Sequence, residues 1–277
     1  MIIWLSSYPK SGNTYLRSFL SAYYYTNDGS FNSDLLKFIE QFPDKQFFQS
    51  FMKTKKEASE KWLPLQRKIV KSNKIKFLKT HSAYGSYDGS PFTSSEVTIG
   101  GIYIVRDPRN VVCSLMNHFS LSKKDALSML LDENRGIKSK ENNFATYTFL
   151  SSWSNHFKSW ANIKSFKTKL IKYEDLQDNA EEIFKNTILF INNLINNGQG
   201  IDYQKFNKAL DTTKFKILKK RENEGGFLEA MFSEEKGRKI PFFNLGFENN
   251  WKNNLSNEAV KEIEYRFEKE MKELNYL

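Results

Sequence analysis

The sequence predicts an α/β fold: a single domain over 1–277 in which a central, mostly parallel sheet is flanked by helices. Three observations point to it. The chain opens on a short apolar run, residues 2–5, that passes through a turn rich in Ser, Pro and Gly into a helical period. A stronger apolar run at 99–105 likewise ends in a polar turn that feeds a helix. Finally, 277 residues with 39% hydrophobic and 15% aromatic content are enough for one substantial core and exclude a disordered chain. No internal repeat and no long linker divides them.

Taken in order, residues 2–5 read as a buried strand and 6–13 as a turn. From Thr14 onward, Tyr15, Leu16, Phe19, Leu20 and Tyr23 fall on one helical face. Residues 28–72 are lysine-rich, with helices and loops but no clear pattern. A second strand is expected at 76–79, followed by a polar turn region over 82–95. The strand at 99–105 ends at Arg106-Asp107-Pro108, where Asp107 suits a helix cap and Pro108 the first turn. Val111, Val112, Leu115 and Met116 give the next helix its apolar face. Helices are expected over 123–133, 141–163 and 178–197, with a short strand at 169–171 before the last of these. Two short helices fit 203–222. Residues 223–256 mix Gly, Phe, Asn and charge and read as an irregular C-terminal lid, and 258–274 closes the chain as a charged amphipathic helix.

Composition narrows the function classes. Lysine and arginine exceed acidic residues by 42 to 32, a formal charge of +10, which suits an anionic partner or simply a soluble surface. Membranes, nucleic acids and phosphorylated cofactors all qualify. Cys113 is the only cysteine, so neither a disulfide within the chain nor a cysteine-built metal site is possible. His81, His118 and His156 are too scattered for a zinc motif. The N-terminus lacks a basic segment followed by a long apolar one, and no stretch approaches membrane-spanning length. A cytoplasmic protein without a bound metal is expected.

The first chemical signal is the turn Ser7-Tyr-Pro-Lys-Ser-Gly-Asn-Thr14. Laid on the nucleotide P-loop pattern, Gly12 and Thr14 fit, whereas Ser7 stands for the first glycine and Asn13 for the lysine. The lysine sits at position 10 instead. A loop feeding a helix start aims backbone N–H groups and the positive helix end at a phosphate. Lys10 adds charge there, and Ser11 and Thr14 add hydroxyl donors. A plain Ser/Gly turn with a chance lysine is the alternative reading.

Tyr-Pro-Lys-Ser-Gly-Asn-Thr-Tyr at 8–15 resembles the YPKSGTTW signature of sulfotransferases that use 3′-phosphoadenosine 5′-phosphosulfate (PAPS). The resemblance implies a P-loop-NTPase-like fold and a loop that holds the 5′-phosphosulfate through Lys10, Ser11, Gly12, Asn13 and Thr14. Tyr15 stands where the family usually stacks a Trp on adenine. Lys79-Thr-His81 is similar to the family's K-[ST]-H segment, which makes Lys79 a ligand of the sulfuryl oxygens and His81 the general base. Tyr103-Ile-Val-Arg106 through Ser114 looks like the 3′-phosphate motif, with Arg106 and Ser114 as its ligands. Lys172-Tyr173-Glu-Asp-Leu176 resembles YEDL, which places Tyr173 near the nucleotide. Glu174 and Asp175 read either as an acid/base pair or, the reading favoured here, as helix capping and bracing. A looser match, Phe215 to Phe227, lies on the adenine side.

The last match carries a departure. The segment 242–252 aligns with FFRKGxxGxW through Gly246 and Trp251, but Asn244 and Leu245 replace the Arg-Lys that binds the 3′-phosphate. Arg238 and Lys239, six residues upstream, are the expected substitutes, carried in by the lid.

The resemblance thus implies transfer of a sulfuryl group from PAPS to a hydroxyl or amine, leaving adenosine 3′,5′-bisphosphate (PAP), without a metal. The expected acceptor is a small molecule, lipid or carbohydrate. Its pocket would come from 28–65, 83–95, 117–145 and 228–243, where Phe47, Phe48, Phe51, Tyr84, Tyr87, Phe92 and Phe119 suit apolar or sugar-ring acceptors or ordinary packing equally well. Three other readings compete. An Mg-dependent P-loop kinase needs the lysine missing at position 13. A non-catalytic nucleic-acid or polyanion binder fits the charge, although the lysines are mixed with acids as on a solvated surface. A relative that binds nucleotide without turnover would not need Lys10, Lys79 and His81 together. Nothing in the sequence fixes the oligomeric state.

Overall fold

The computed structural model describes residues 1–277 except 73, 139–142, 197, 228, 231 and 234–236, and only the backbone of 233. Its centre is a parallel sheet of five strands: β1 (Ile2–Ser7), β2 (Glu40–Gln41), β3 (Lys76–Thr80), β6 (Thr98–Val105) and β9 (Lys167–Lys172), in the order β2-β3-β1-β6-β9. Three two-stranded ribbons decorate the loops. They are β4 (Ser86–Tyr87) with β5 (Ser90–Pro91), β7 (Gly136–Ile137) with β8 (Thr148–Phe149), and β10 (Phe232–Ser233) with β11 (Arg238–Lys239). This is the mostly parallel α/β architecture expected.

Strand alternation divides the core. Ile3 and Leu5 of β1, with Ile102 and Ile104 of β6, face one side; Ile2, Trp4, Tyr103 and Val105 face the other. The first side is covered by α1 (Asn13–Tyr25), α6 (Leu176–Ile195), α7 (Tyr203–Thr213) and α8 (Phe215–Gly225). The second carries α2 (Lys55–Val70), α3 (Pro108–Phe119), α4 (Lys123–Leu131), α5 (Trp153–Ala161), α9 (Asn257–Arg266) and α10 (Glu268–Glu273). A sheet buried on both faces needs apolar residues at consecutive positions, which explains the unbroken run at the N-terminus. Each fully buried large side chain there, Trp4 included, contributes on the order of 2–3 kcal/mol of transfer free energy.

Several boundaries differ from expectation for local reasons. The helix expected over 141–163 begins only at Trp153, because Ser152 caps it by accepting from the Asn155 amide. Before it lie a 3₁₀ turn (Phe144–Thr146) and β8, in a stretch of Thr and aromatic residues, while 141 and 142 fall outside the described residues. The closing helix is broken at Phe267, whose backbone (φ −119°, ψ 18°) is not helical, so α9 and α10 are separate. Residues 28–72, without a legible pattern, contain the sixteen-residue α2. As expected, Asp107 caps α3 by accepting from the Arg109 amide at 2.9 Å, and Pro108 occupies the first turn.

The parallel order places the C-terminal ends of β1, β3 and β6 side by side. Ligands of open α/β sheets collect at that edge, and the site is built there.

Candidate functional site

The loop between β1 and α1 is held in an unusual conformation. Lys10 has φ 67°, left-handed for a non-glycine residue, which costs on the order of 1–2 kcal/mol. Arg106 offsets this by donating from Nη1 to the Lys10 carbonyl at 3.0 Å. Gly12 has φ 98°, and a Cβ there would lie 2.3 Å from Cδ2 of Tyr173. Glycine is therefore required twice over: by the turn and by the ring against it. Asn13 turns its side chain inward, donating to the Leu5 carbonyl (2.9 Å) and to Ser7 Oγ (3.3 Å), so it braces the loop from behind. The buried Ser11 hydroxyl has no partner among the described residues.

Lys10 extends over the Phe242 ring, 4.0 Å from its centroid. Burial of its ammonium group, together with repulsion from Lys79 and Arg106, pulls its pKa down to about 7 against the opposing pull of Glu229.

On the neighbouring strand, Lys79 pairs in register with Leu5, and His81 follows directly after β3. His81 Nδ1 lies 2.7 Å from the Ser7 carbonyl oxygen and 3.3 Å from Ser7 Oγ. A carbonyl only accepts, so Nδ1 carries the hydrogen and Nε2 keeps the free lone pair. Behind His81 lies a buried chain. Tyr103 Oη donates to His156 Nδ1 (2.9 Å), and His156 Nε2 donates to the His81 carbonyl (3.1 Å). Burial, with the Lys79 charge second, depresses the His81 pKa to about 3, and burial does the same to His156. Both rings are neutral at ordinary pH.

Arg106, at the end of β6, makes its other bonds to Ser114 Oγ (3.2 Å) and to the Gly246 carbonyl (3.2 Å). Its guanidinium stacks over Tyr173 at 4.3 Å, and Nε has no partner among the described residues. Asn249 also reaches Ser114 Oγ (3.3 Å). Tyr173 stacks on Phe247 at 4.9 Å, and Tyr15 meets Phe247 edge-on, so rings surround this end of the site. Glu174 braces: it accepts from the Asp107 amide (3.0 Å) and the Tyr276 hydroxyl (2.8 Å), and burial raises its pKa. Asp175 occupies the N-cap of α6 without a side-chain capping bond.

One cavity of about 690 Å³ brings most of these groups together, within the size range of cofactor sites. Lys10, Gly12, Asn13, Thr14, Tyr15, Lys79, His81, Arg106, Ser114, Tyr173 and Gly246 all line it, and Ser11 lies in the loop between them. Arg238 and Lys239 do not line it; they are exposed on β11. Asn244 and Leu245 do, and Lys219 of α8 donates to the Asn244 carbonyl at 2.7 Å.

Three residues that the sequence reading did not single out for the site matter here. Glu229 places a carboxylate in the cavity, Arg17 reaches that carboxylate from α1, and His118 lines the far side beside Phe119. Arg17 was legible in principle, one turn beyond Thr14, and His118 likewise, four residues beyond Ser114 on α3. No motif marks Glu229. Of the aromatic residues considered for an acceptor pocket, Phe119 lines the cavity, Phe51 is exposed, Phe92 belongs to the core, and Phe47, Phe48, Tyr84 and Tyr87 pack against the core, partly buried.

A phosphate-type loop and converging cations at the C-terminal edge of a parallel sheet, with a neutral imidazole beside them, define an α/β group-transfer enzyme. The Sulfotransferase domain family matches residues 2–275, and the chain belongs to the sulfotransferase family. It is similar to Sulfotransferase 1 family member D1 of Mus musculus, 23% identical over 284 residues that cover 98% of this chain and 83% of that protein. The Rattus norvegicus counterpart is 22% identical with the same coverage. In fold it is similar to mouse sulfotransferase SULT7A1 complexed with PAP (TM-score 0.58, 17% identity, 97% of this chain and 83% of that one). Retinol dehydratase in complex with androsterone and PAP gives 0.60 and 16%, over 98% and 80% of the two chains. Among the described residues, no helix is long and apolar enough to cross a membrane.

Proposed function

We propose that this chain transfers a sulfuryl group from PAPS to a hydroxyl or amine of a small organic acceptor. The observation that carries the reading is the convergence of Lys10, Lys79, His81 and the Arg106–Ser114 pair on one cavity. The residues fit the cofactor: two buried donors, Ser11 Oγ of the loop and Nε of the cavity-lining Arg106, have no partner among the described residues, and a carboxylate rests among the cavity's cations.

PAPS supplies an activated sulfuryl group whose departure leaves PAP. Lys10 and the loop amides hold the 5′-phosphate and offset the charge that grows on it. Lys79 takes the sulfuryl oxygens. Arg106 and Ser114 hold the 3′-phosphate, since a guanidinium fork suits phosphate geometry. Tyr15, Tyr173 and Phe247 supply ring surface for the adenine end. His81 accepts the acceptor's proton at Nε2, the nitrogen that the Ser7 carbonyl leaves free. A pKa near 3 makes a weak base in the empty site, but the negative charge of the cofactor beside Lys79 raises it toward its working range.

The acceptor enters beside His118, Phe119, Leu121, Ile137 and Thr148, a mixed lining that suits a ring or lipid-like body bearing polar groups. Retinol and androsterone, held by solved relatives of this fold, are of that size and kind. The reading is tested by mass-spectrometric screening of hydroxyl- and amine-bearing compounds with PAPS in the absence of magnesium. Sulfated product and PAP in equal amounts are expected. Turnover that requires ATP and Mg²⁺ would replace this reading with a kinase.

A further inference from the structure

Glu229 lies between α8 and β10, yet its carboxylate is bonded to elements remote in sequence. Oε2 accepts from Thr14 Oγ1 at 3.0 Å. Oε1 accepts from Lys79 Nζ at 3.3 Å and from Arg17 Nη1. Three donors from α1 and β3, two of them cationic, thus meet on one oxyanion. Arg17 is fixed in this pose by a second bond, Nη2 to the Leu36 carbonyl at 2.9 Å. The side chains of Arg17 and Lys79 are only 6% and 8% exposed. Cations buried so deeply need an anion against them, and removing it would leave charge unpaired.

A carboxylate and a sulfuryl group present the same face to such donors: terminal oxygens that share negative charge and only accept hydrogen bonds. We propose that Thr14, Arg17 and Lys79 form the oxyanion pocket for the transferring sulfuryl group, with Arg17 a binding residue in its own right. Glu229 is the pocket's internal occupant and surrenders these three bonds when the sulfuryl donor enters. The inference deepens the PAPS reading by naming who holds the transferred group, and it rests on that reading for the identity of the donor.

Two consequences separate it from a merely structural ion pair. Without ligand the pocket already holds a carboxylate, so an anion entering this pocket does so by competing with Glu229. After transfer the sulfuryl group leaves with the acceptor, and Glu229 regains its pocket while PAP is still bound. Its competition therefore falls on sulfuryl-bearing ligands and spares PAP.

The test uses the full chain and three probes, inorganic sulfate, PAP and PAPS, with affinities from calorimetry and thermal shift. Glu229→Gln keeps the shape and one acceptor but removes the charge. It should bind sulfate and PAPS about tenfold more tightly than the unsubstituted protein, the scale of one charge-assisted contact, while PAP changes by less than about threefold. Arg17→Gln added to Glu229→Gln should abolish that gain. Glu229→Gln with sulfate affinity equal to or below that of the unsubstituted protein would overturn the proposal and leave Glu229 a structural partner of Arg17. If the double variant fails to fold, the single variant decides. PAP that binds no variant, alongside the expected sulfate result, would keep the pocket and remove the nucleotide reading.

Discussion

The Nδ1 of His81 sits 2.7 Å from the main-chain oxygen of Ser7, the last residue of β1 and the first of the phosphate loop. The imidazole is thereby hinged on the same backbone that carries Lys10. One hydrogen bond sets its tautomer, and the Tyr103–His156 pair holds its carbonyl from the opposite side. The His81 ring and the Lys10 loop are a single mechanical unit.

His81→Ala should leave PAP affinity nearly intact while sulfuryl transfer falls by roughly 10²-fold or more. In the intact protein, NMR titration should find the His81 ring neutral down to about pH 3 without ligand. PAP adds negative charge near the ring and should raise that value. Unaltered turnover in the alanine variant would remove His81 as the base.

Lys10 gives the second prediction, through protons. Its pKa near 7 in the empty protein, against 10.5 when free, means that it is largely uncharged at pH 8 to 9. A bound phosphate favours the charged form, so nucleotide binding takes up a proton in that window. Affinity for PAP should be full below pH 7 and decline above it. Calorimetry in buffers of different ionisation enthalpy should register the uptake at pH 8.5 and little at pH 6. Lys10→Met should abolish both the uptake and the slope.

Arg106 and Ser114 predict nucleotide choice. PAP should stabilise the protein to heat without magnesium, by about 2.7 kcal/mol at one hundred times its dissociation constant, and AMP far less. Arg106→Ala should erase the difference. Since Arg106 also secures the Lys10 and Gly246 carbonyls, some loss of stability is expected with it. Ser114→Ala, which keeps those bonds, is the cleaner probe of the 3′-phosphate. Equal stabilisation by AMP and PAP would refute the assignment.

Arg238 and Lys239 are exposed on β11 and outside the cavity lining. Replacing both by alanine should change PAP affinity by less than about 1 kcal/mol, as for exposed charges generally. A loss of about 1.5–3 kcal/mol, the range for hydrogen bonds to charged groups, would show that they close over the 3′-phosphate when nucleotide arrives.

Much of the fold was legible because buried parallel strands must be apolar throughout. The apolar runs at 2–5 and 99–105 announced β1 and β6, whereas β3 showed only Phe77 and Leu78 between two lysines. The signals that failed were those set by tertiary contact. The apolar face of α2 is narrow, and its Trp62 is interpretable only against Phe92 and Tyr147, which come from elsewhere in the chain. Its capping signal, Thr54 three residues before Glu57, was present but sat among lysines that obscured it. In the site, residues of the loop, β3 and β6 were legible because their short motifs resemble those of a known family. Glu229 belongs to no repeating geometry. Only folding brings it to Arg17, 212 positions away.

The alternation of β3 carries a further consequence. Phe77 packs on the α1 side and Leu78 on the other, so Lys79 faces α1, where Arg17 waits. Deleting one residue within Lys76–Leu78 would reverse every later side chain of the strand and send the lysine into the opposite core. The side on which Lys79 stands is thus specified by parity as much as by identity. Chain length carries a meaning inside β3 that it does not carry at the tip of the β4–β5 ribbon, where Gly89 has open space beside it. An added residue at that tip turns no buried side chain, whereas a single dropped codon in β3 would turn Lys79 away from α1 while leaving every motif residue in the sequence.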